Sequence, residues 1–142
     1  MFYTALTKQA LKLAYDAHKG QTDKSGLPYV FHPFYLACKM DDEYSICVAL
    51  LHDVIEDSIY TFNDLYNLGF PNEIIGAVRV LTHKKDVSYI DYINEIKKNP
   101  LASKVKIEDL KHNSDLSRLN NVTSDDLKRL SKYEEALKNL KS

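Results

Sequence analysis

Four ionisable side chains interrupt an apolar run at His52-Asp53-Val54-Ile55-Glu56-Asp57. The preceding Ile46-Cys47-Val48-Ala49-Leu50-Leu51 and the intervening Val54-Ile55 are apolar and predict a buried helix. Charges in such surroundings are costly unless something compensates, and a bound cation is the usual compensation. On a continuous helix, residues at i and i+4 share a face, which aligns His52 with Glu56 and Asp53 with Asp57. One turn then offers an imidazole and a carboxylate, and the next, about 6 Å along the axis, two further carboxylates. This pattern points to metal-dependent hydrolysis.

Three other places hold partners for it. His32 precedes Pro33 at a predicted loop-to-helix junction, Asp109 lies in a predicted amphipathic helix, and Asn113 follows Asp109 by one turn on the same face. The imidazoles of His32 and His52 with the carboxylates of Asp53 and Asp109 make a mixed nitrogen–oxygen set. Such a set suits manganese, iron or zinc, whereas calcium prefers oxygen alone. With four protein ligands, positions remain for water and substrate, and Glu56 or Asp57 is placed to orient that water or take its proton. A buried hydrogen-bonded pair at His52-Asp53 would leave His32, Glu56, Asp57 and Asp109 unexplained together. An acidic helix C-terminus also opposes the helix dipole, which favours a functional role for Glu56 and Asp57. A zinc protease is disfavoured, because the second histidine of H-E-x-x-H is missing. His18 and His112 read as structural, His112 as a support behind a metal ligand.

Helices must position these groups, since strand-like alternation is nearly absent. The periodicity predicts helices over roughly 3–19, 33–40, 42–57, 61–69, 71 to near 83–85, 88–98, 101–113 and 124–141. Asp41-Asp42, Thr61 with Asp64, and Thr123 or Ser124 supply caps, and Gly20 stops the first helix. A polar loop over 21–29 carries Gly26 and Pro28. The expectation is one all-α domain over residues 1–142, an orthogonal multi-helix array of eight short, unequal helices.

At 142 residues the chain is long enough to bury a core without staples. A net charge of −1 with no basic excess argues against a nucleic-acid polymer as partner, while leaving a small anionic ligand open. No apolar run reaches membrane-spanning length and no leader pattern opens the chain, so no membrane partner and a cytoplasmic location are expected. Cys38 and Cys47 are expected as buried, reduced thiols. No feature of the sequence sets an oligomeric state.

The ordered set His32…His52-Asp53…Asp109 resembles the signature of HD-domain metal-dependent phosphohydrolases. The resemblance narrows to the hydrolase domain of the RelA/SpoT type and its small stand-alone alarmone hydrolases. It rests on Ala17-His18-Lys19-Gly20-Gln21, Lys24-Ser25-Gly26-Leu27-Pro28-Tyr29, His32-Pro33 and Leu50 through Asp57. Leu81-Thr82 before a basic turn, Val105-Lys106…Asp109…His112-Asn113, and the spacing of Arg129 and Tyr133 extend it over residues 10 to 135. It implies an HD-type helical fold and manganese-dependent removal of the 3′-pyrophosphate of ppGpp or pppGpp, leaving GDP or GTP. His32, His52, Asp53 and Asp109 would hold the metal, with Glu56 and Asp57 beside the attacking water. Lys24, Ser25 and Tyr29 would line the nucleotide pocket and Asn113 would meet its ribose–phosphate part. Arg129, Tyr133 and a lysine at 84 or 85 would meet phosphates; Lys24, Lys84 and Arg129 would offset the charge of the pyrophosphate in transfer. At this length the resemblance implies a hydrolase domain without an accompanying synthetase domain.

The chain departs from the family pattern at three positions: Asp23 where an arginine is common, Leu110 directly after the metal aspartate, and Asp115 two residues beyond the asparagine. These lost cations keep two alternatives open. One is an HD phosphohydrolase acting on another nucleotide or phosphorylated dinucleotide; the other is a nucleotide-sensing module with little turnover. The intact Glu56-Asp57 pair argues against the second.

Overall fold

A computed structural model describes residues 1–142. It is all helix: α1 Ala5–Ala17, α2 Phe31–Cys38, α3 Glu43–Leu51, α4 Val54–Asp57, α5 Phe62–Asn67, α6 Asn72–Leu81, α7 Tyr89–Lys97, α8 Pro100–Asn113 and α9 Ser124–Lys141, with a 3₁₀ turn at Leu116–Arg118. Only an isolated bridge between Thr22 and Pro28, in the loop before α2, pairs backbone in the manner of a sheet.

The centre is α3. Every residue from Ser45 to Leu51 is buried, so this helix has no solvent face. An all-round apolar helix must be surrounded, and α1, α2, α6 and α8 pack against it. Its entry is fixed by Asp42, whose Oδ1 accepts the Ser45 N–H at 2.8 Å. Capping boxes start α1 at Thr4, α5 at Thr61 and α9 at Thr123. Pro100 opens α8 behind an Asn99 cap, where its missing N–H costs nothing.

The structure departs from the expected elements in three ways that bear on function. The single helix over 42–57 is two: α3 stops at Leu51, Asp53 takes φ −108°, ψ 0°, and α4 restarts for one turn. No glycine or proline marks the break; the His52 ring makes it, donating Nδ1–H to the Ala49 carbonyl at 2.6 Å, in the last turn of α3. The helix count is therefore nine, not eight. Next, α2 begins at Phe31, so His32 sits inside the helix and points from it, not from the loop ahead of Pro33. Finally, Cys47 is buried as expected, but Cys38 is exposed at the end of α2. No helix is long and apolar enough to cross a membrane.

Candidate metal centre and active site

Three helices bring their ligands to one point. His32 from α2, His52 from the end of α3 and Asp109 from α8 are buried, and their donor atoms lie within 4.8 Å of one another. His32 Nε2 is 2.8 Å from Asp109 Oδ1, and His52 Nε2 is 3.6 Å from the same oxygen. Asp53, the fourth expected ligand, stands outside this group of three but adjoins it, its Oδ2 lying 3.0 Å from His52 Nε2 and accepting the Tyr29 hydroxyl.

The hydrogen bond made by His52 shows how the cluster could receive a cation. Since a carbonyl only accepts, His52 Nδ1 carries the proton shared with Ala49, and when the ring is neutral its Nε2 lone pair is turned towards the two carboxylates. That buried nitrogen has no hydrogen-bond partner. A lone pair facing two anions is repulsive unless a cation lies between them. Burial disfavours a charged His52, but Asp53 and Asp109 outweigh it and push the imidazole well above its ordinary range. The same position therefore draws in a proton or a metal ion, and the cluster could hold a metal ion.

The surroundings keep the carboxylates charged. Burial works against Asp109, yet the Lys106 ammonium, 2.8 Å from Oδ2, together with His32 and His52 outweighs it and holds the carboxyl well below its usual range. Asn113 donates to Asp109 Oδ1 at 3.0 Å. Asp53, also opposed by burial, is held at about 2 by the adjacent His52. Behind His32, His112 Nδ1 lies 2.7 Å from His32 Nδ1. Burial and the Arg118 charge push His112 down to about 4, so near neutrality it is uncharged and able to accept. When His32 donates to it, the His32 Nε2 lone pair also faces the cluster.

Two cavities adjoin this point, sharing Asn113 and Tyr133 in their walls. The larger, about 400 Å³, is lined by Lys24, Ser25, Tyr29, Asn113, Arg129 and Tyr133, six of the seven residues expected to meet substrate. The smaller, about 230 Å³, opens beside His52, Asp53 and Glu56. Glu56 Oε1 accepts the His83 N–H at 2.6 Å, and burial pushes its carboxyl up despite that bond. Burial, then the Asp53 charge, also raises Asp57. Because the chain breaks at His52-Asp53, Glu56 lines the smaller cavity and Asp57 lines neither.

Lys84 is exposed after α6 and lines neither cavity, unlike its expected place among the phosphate contacts. In its stead Lys106 and Lys132 line the smaller one. The i, i+3 spacing of Lys106 and Asp109 was the available signal for the first; Lys132 had none, since α9 reaches the site only through tertiary packing. The departures at Asp23 and Asp115 have structural roles. Asp23 Oδ1 accepts the Ser25 and Leu27 N–H groups, tying the loop, and Asp115 caps the 3₁₀ turn. That turn carries Arg118, whose Nη2 comes to 4.0 Å from Asp23 Oδ2 on the wall of the larger cavity, so a guanidinium lines it after all.

No family model matches the chain. Individual proteins do. The bifunctional (p)ppGpp synthase/hydrolase SpoT of Escherichia coli K12 is 48% identical over 66 residues, 43% of this chain and 9% of that protein. A guanosine-3′,5′-bis(diphosphate) 3′-pyrophosphohydrolase of Vibrio cholerae is 46% identical over 63 residues, 41% of this chain and 9% of its own length. The GTP pyrophosphokinase rsh of Brucella melitensis is 37% identical over 90 residues, 61% of this chain and 12% of its own. The matches thus span about a tenth of the length of these relatives. In fold, the chain superposes on a solved metazoan ortholog of SpoT, described as hydrolysing ppGpp and playing a role in starvation responses, with TM-score 0.79 and 24% identity, covering 100% of this chain and 89% of that one. The motif resemblance is borne out: the chain is related in sequence to SpoT-type (p)ppGpp hydrolases and has, over its whole length, the helical fold of a SpoT ortholog.

Proposed function

We propose that this protein is a divalent-metal-dependent hydrolase that removes the 3′-pyrophosphate of ppGpp or pppGpp, giving GDP or GTP and pyrophosphate. The observation that carries the proposal is the unpartnered His52 Nε2, buried between two carboxylates beside a nucleotide-sized cavity. Relatives with that named activity support the choice of substrate.

His32, His52, Asp53 and Asp109 would hold the ion, and their nitrogen–oxygen mixture favours manganese, with iron or zinc as substitutes. When bound, the ion supplies Lewis acidity and makes water acidic enough to attack near neutral pH. The chain's own residues do the rest. Glu56, raised by burial and fixed by the His83 N–H, is the proton acceptor we assign, because it lines the cavity that Asp53 and His52 face. Asp57, raised as well, lies one residue further along α4 and acts beside it. Tyr29 holds Asp53 through its hydroxyl while its ring lines the nucleotide cavity. Lys24, Ser25, Asn113, Arg129 and Tyr133 bind the nucleotide, and Arg118 adds a guanidinium to the same wall.

The test is release of pyrophosphate from ppGpp with and without added manganese. Manganese-dependent pyrophosphate is the expected product. Orthophosphate from other nucleotides would redirect the proposal to a different substrate. No release from any nucleotide would leave a sensing module.

A further inference from the structure

We propose that the smaller cavity, beside Glu56, receives the second phosphate of the transferred diphosphate, and that Lys132 distinguishes a diphosphate from a monophosphate there. This rests on the function proposed above and assigns one part of that substrate to one place.

Size makes the first division. Cavities for drug-sized ligands run about 300–1,000 Å³, which admits the larger cavity at about 400 Å³ and not the smaller at about 230 Å³. The nucleoside then belongs in the larger cavity. The shared wall at Asn113 and Tyr133 marks the path by which its 3′-phosphates pass the cluster into the smaller one.

Charge makes the second. Asp53 and Glu56 line the smaller cavity together with Lys106 and Lys132. The Lys106 charge is already committed to Asp109 at 2.8 Å. Lys132 has no carboxylate within 4.0 Å; its ammonium rests 4.3 Å from the Tyr89 ring centre and 5.7 Å from that of Tyr133. Aromatic faces hold a cation while leaving its N–H donors free. Tyr89 adds an independent sign. Its hydroxyl is buried without a hydrogen-bond partner, whereas the neighbouring Tyr92 hydroxyl donates to the Leu81 carbonyl at 2.6 Å. A free ammonium and an unpartnered phenol on one small polar cavity match an acceptor-rich anion.

The chemistry balances with this placement. The water oxygen bonds to the phosphorus attached at O3′ and gives its proton to Glu56. The P–O3′ bond breaks, its electron pair stays on O3′, and O3′ takes a proton from solvent. Water and Glu56 stand on the side of the smaller cavity, and the nucleoside departs into the larger one, as an in-line displacement requires. The second phosphate makes and breaks no bond, so its recognition sets specificity.

Wild type, Lys132→Ala, Lys132→Arg and, as a surface control on the same helix, Lys128→Ala are titrated calorimetrically with inorganic pyrophosphate and with orthophosphate at one fixed manganese concentration. Lys132→Ala should weaken pyrophosphate about tenfold and leave orthophosphate unchanged, with Lys132→Arg near wild type and Lys128→Ala equal to it. The preference in kcat/KM for a guanosine 3′-diphosphate over its 3′-monophosphate analogue should fall by a similar factor. Equal pyrophosphate affinity in wild type and Lys132→Ala, or equal losses for both anions, overturns the assignment. Should wild type hydrolyse neither nucleotide, the proposed function fails, and the pyrophosphate titration still decides the cavity.

Discussion

His52 and Asp53 are neighbours in sequence yet reach the cluster in different ways. The first is pinned by a backbone carbonyl and fully buried; the second is partly exposed and pinned by a phenol. Removing Asp53 therefore leaves the core intact while taking away one anion beside the His52 lone pair. Asp53→Ala should abolish pyrophosphate release and shrink the stabilisation that manganese gives. For wild type that stabilisation is about 2.7 kcal/mol at a hundredfold excess over Kd. Thermal unfolding with and without the metal measures it, and an undiminished manganese shift would remove Asp53 from the ligand set. His112 makes a subtler case. It touches none of the cluster's carboxylates, but it can accept the His32 Nδ1–H and is held against the Tyr35 ring at 4.0 Å between centres. His112→Ala should weaken metal binding by roughly 10- to 100-fold, the usual effect of removing a hydrogen-bond partner behind a ligating imidazole. Titration with manganese reads this directly; unchanged affinity would make His112 a packing residue only.

At the scale of elements, α3 decides whether the cluster exists, since its end places His52 and its burial anchors four other helices. Its N-terminus depends on an exposed cap. Lys104, then the Ser45 N–H, holds the Asp42 carboxyl at about 2 against an ordinary 3.8. Because the folded value is the lower one, the stabilisation is present above pH ~4 and is lost as pH falls from there towards 2. Asp42→Ala should cost about 1 kcal/mol at neutral pH, the usual worth of such a cap, and should flatten the acid limb of stability between those values. Unfolding midpoints from pH 2 to 7 check both; an acid limb of unchanged slope would show that Asp42 is not part of it. The caps of α3, α5 and α9 were legible in sequence because each is a local pattern of side chain and backbone. The break between α3 and α4 was not, since it depends on an imidazole taking a main-chain acceptor in a segment with no breaker residue. The cluster of His32, His52 and Asp109 was legible because histidine and aspartate are conspicuous in apolar helices. Lys132 was not, because a lysine on a polar helix face looks solvated until the fold places aromatic rings beneath it.

Across the whole molecule, the larger cavity is closed by parts of the chain that meet only on folding. The loop before α2 supplies Lys24 and Ser25, and α9 supplies Arg129 and Tyr133. Asp126 clasps them: its Oδ1 receives Lys24 Nζ at 3.1 Å and Arg129 Nη2 at 2.5 Å, while its Oδ2 accepts the Thr123 N–H at 2.9 Å. Ser25 reinforces the join by donating its hydroxyl to the Arg118 carbonyl. The two cations therefore share one counter-ion, and under the proposed function they do not act independently on a bound phosphate. With Lys24 gone, Asp126 pairs with Arg129 alone and neutralises more of its charge on the cavity wall, so removing Arg129 next loses less. Lys24→Ala and Arg129→Ala should each weaken nucleotide binding, and the double variant should bind tighter than the product of the single effects predicts, by a factor of about two or more. In an Asp126→Ala background that excess should vanish. Calorimetry with the nucleotide on the full cycle measures the coupling, and additive losses with Asp126 present would show that loop and helix meet the ligand separately.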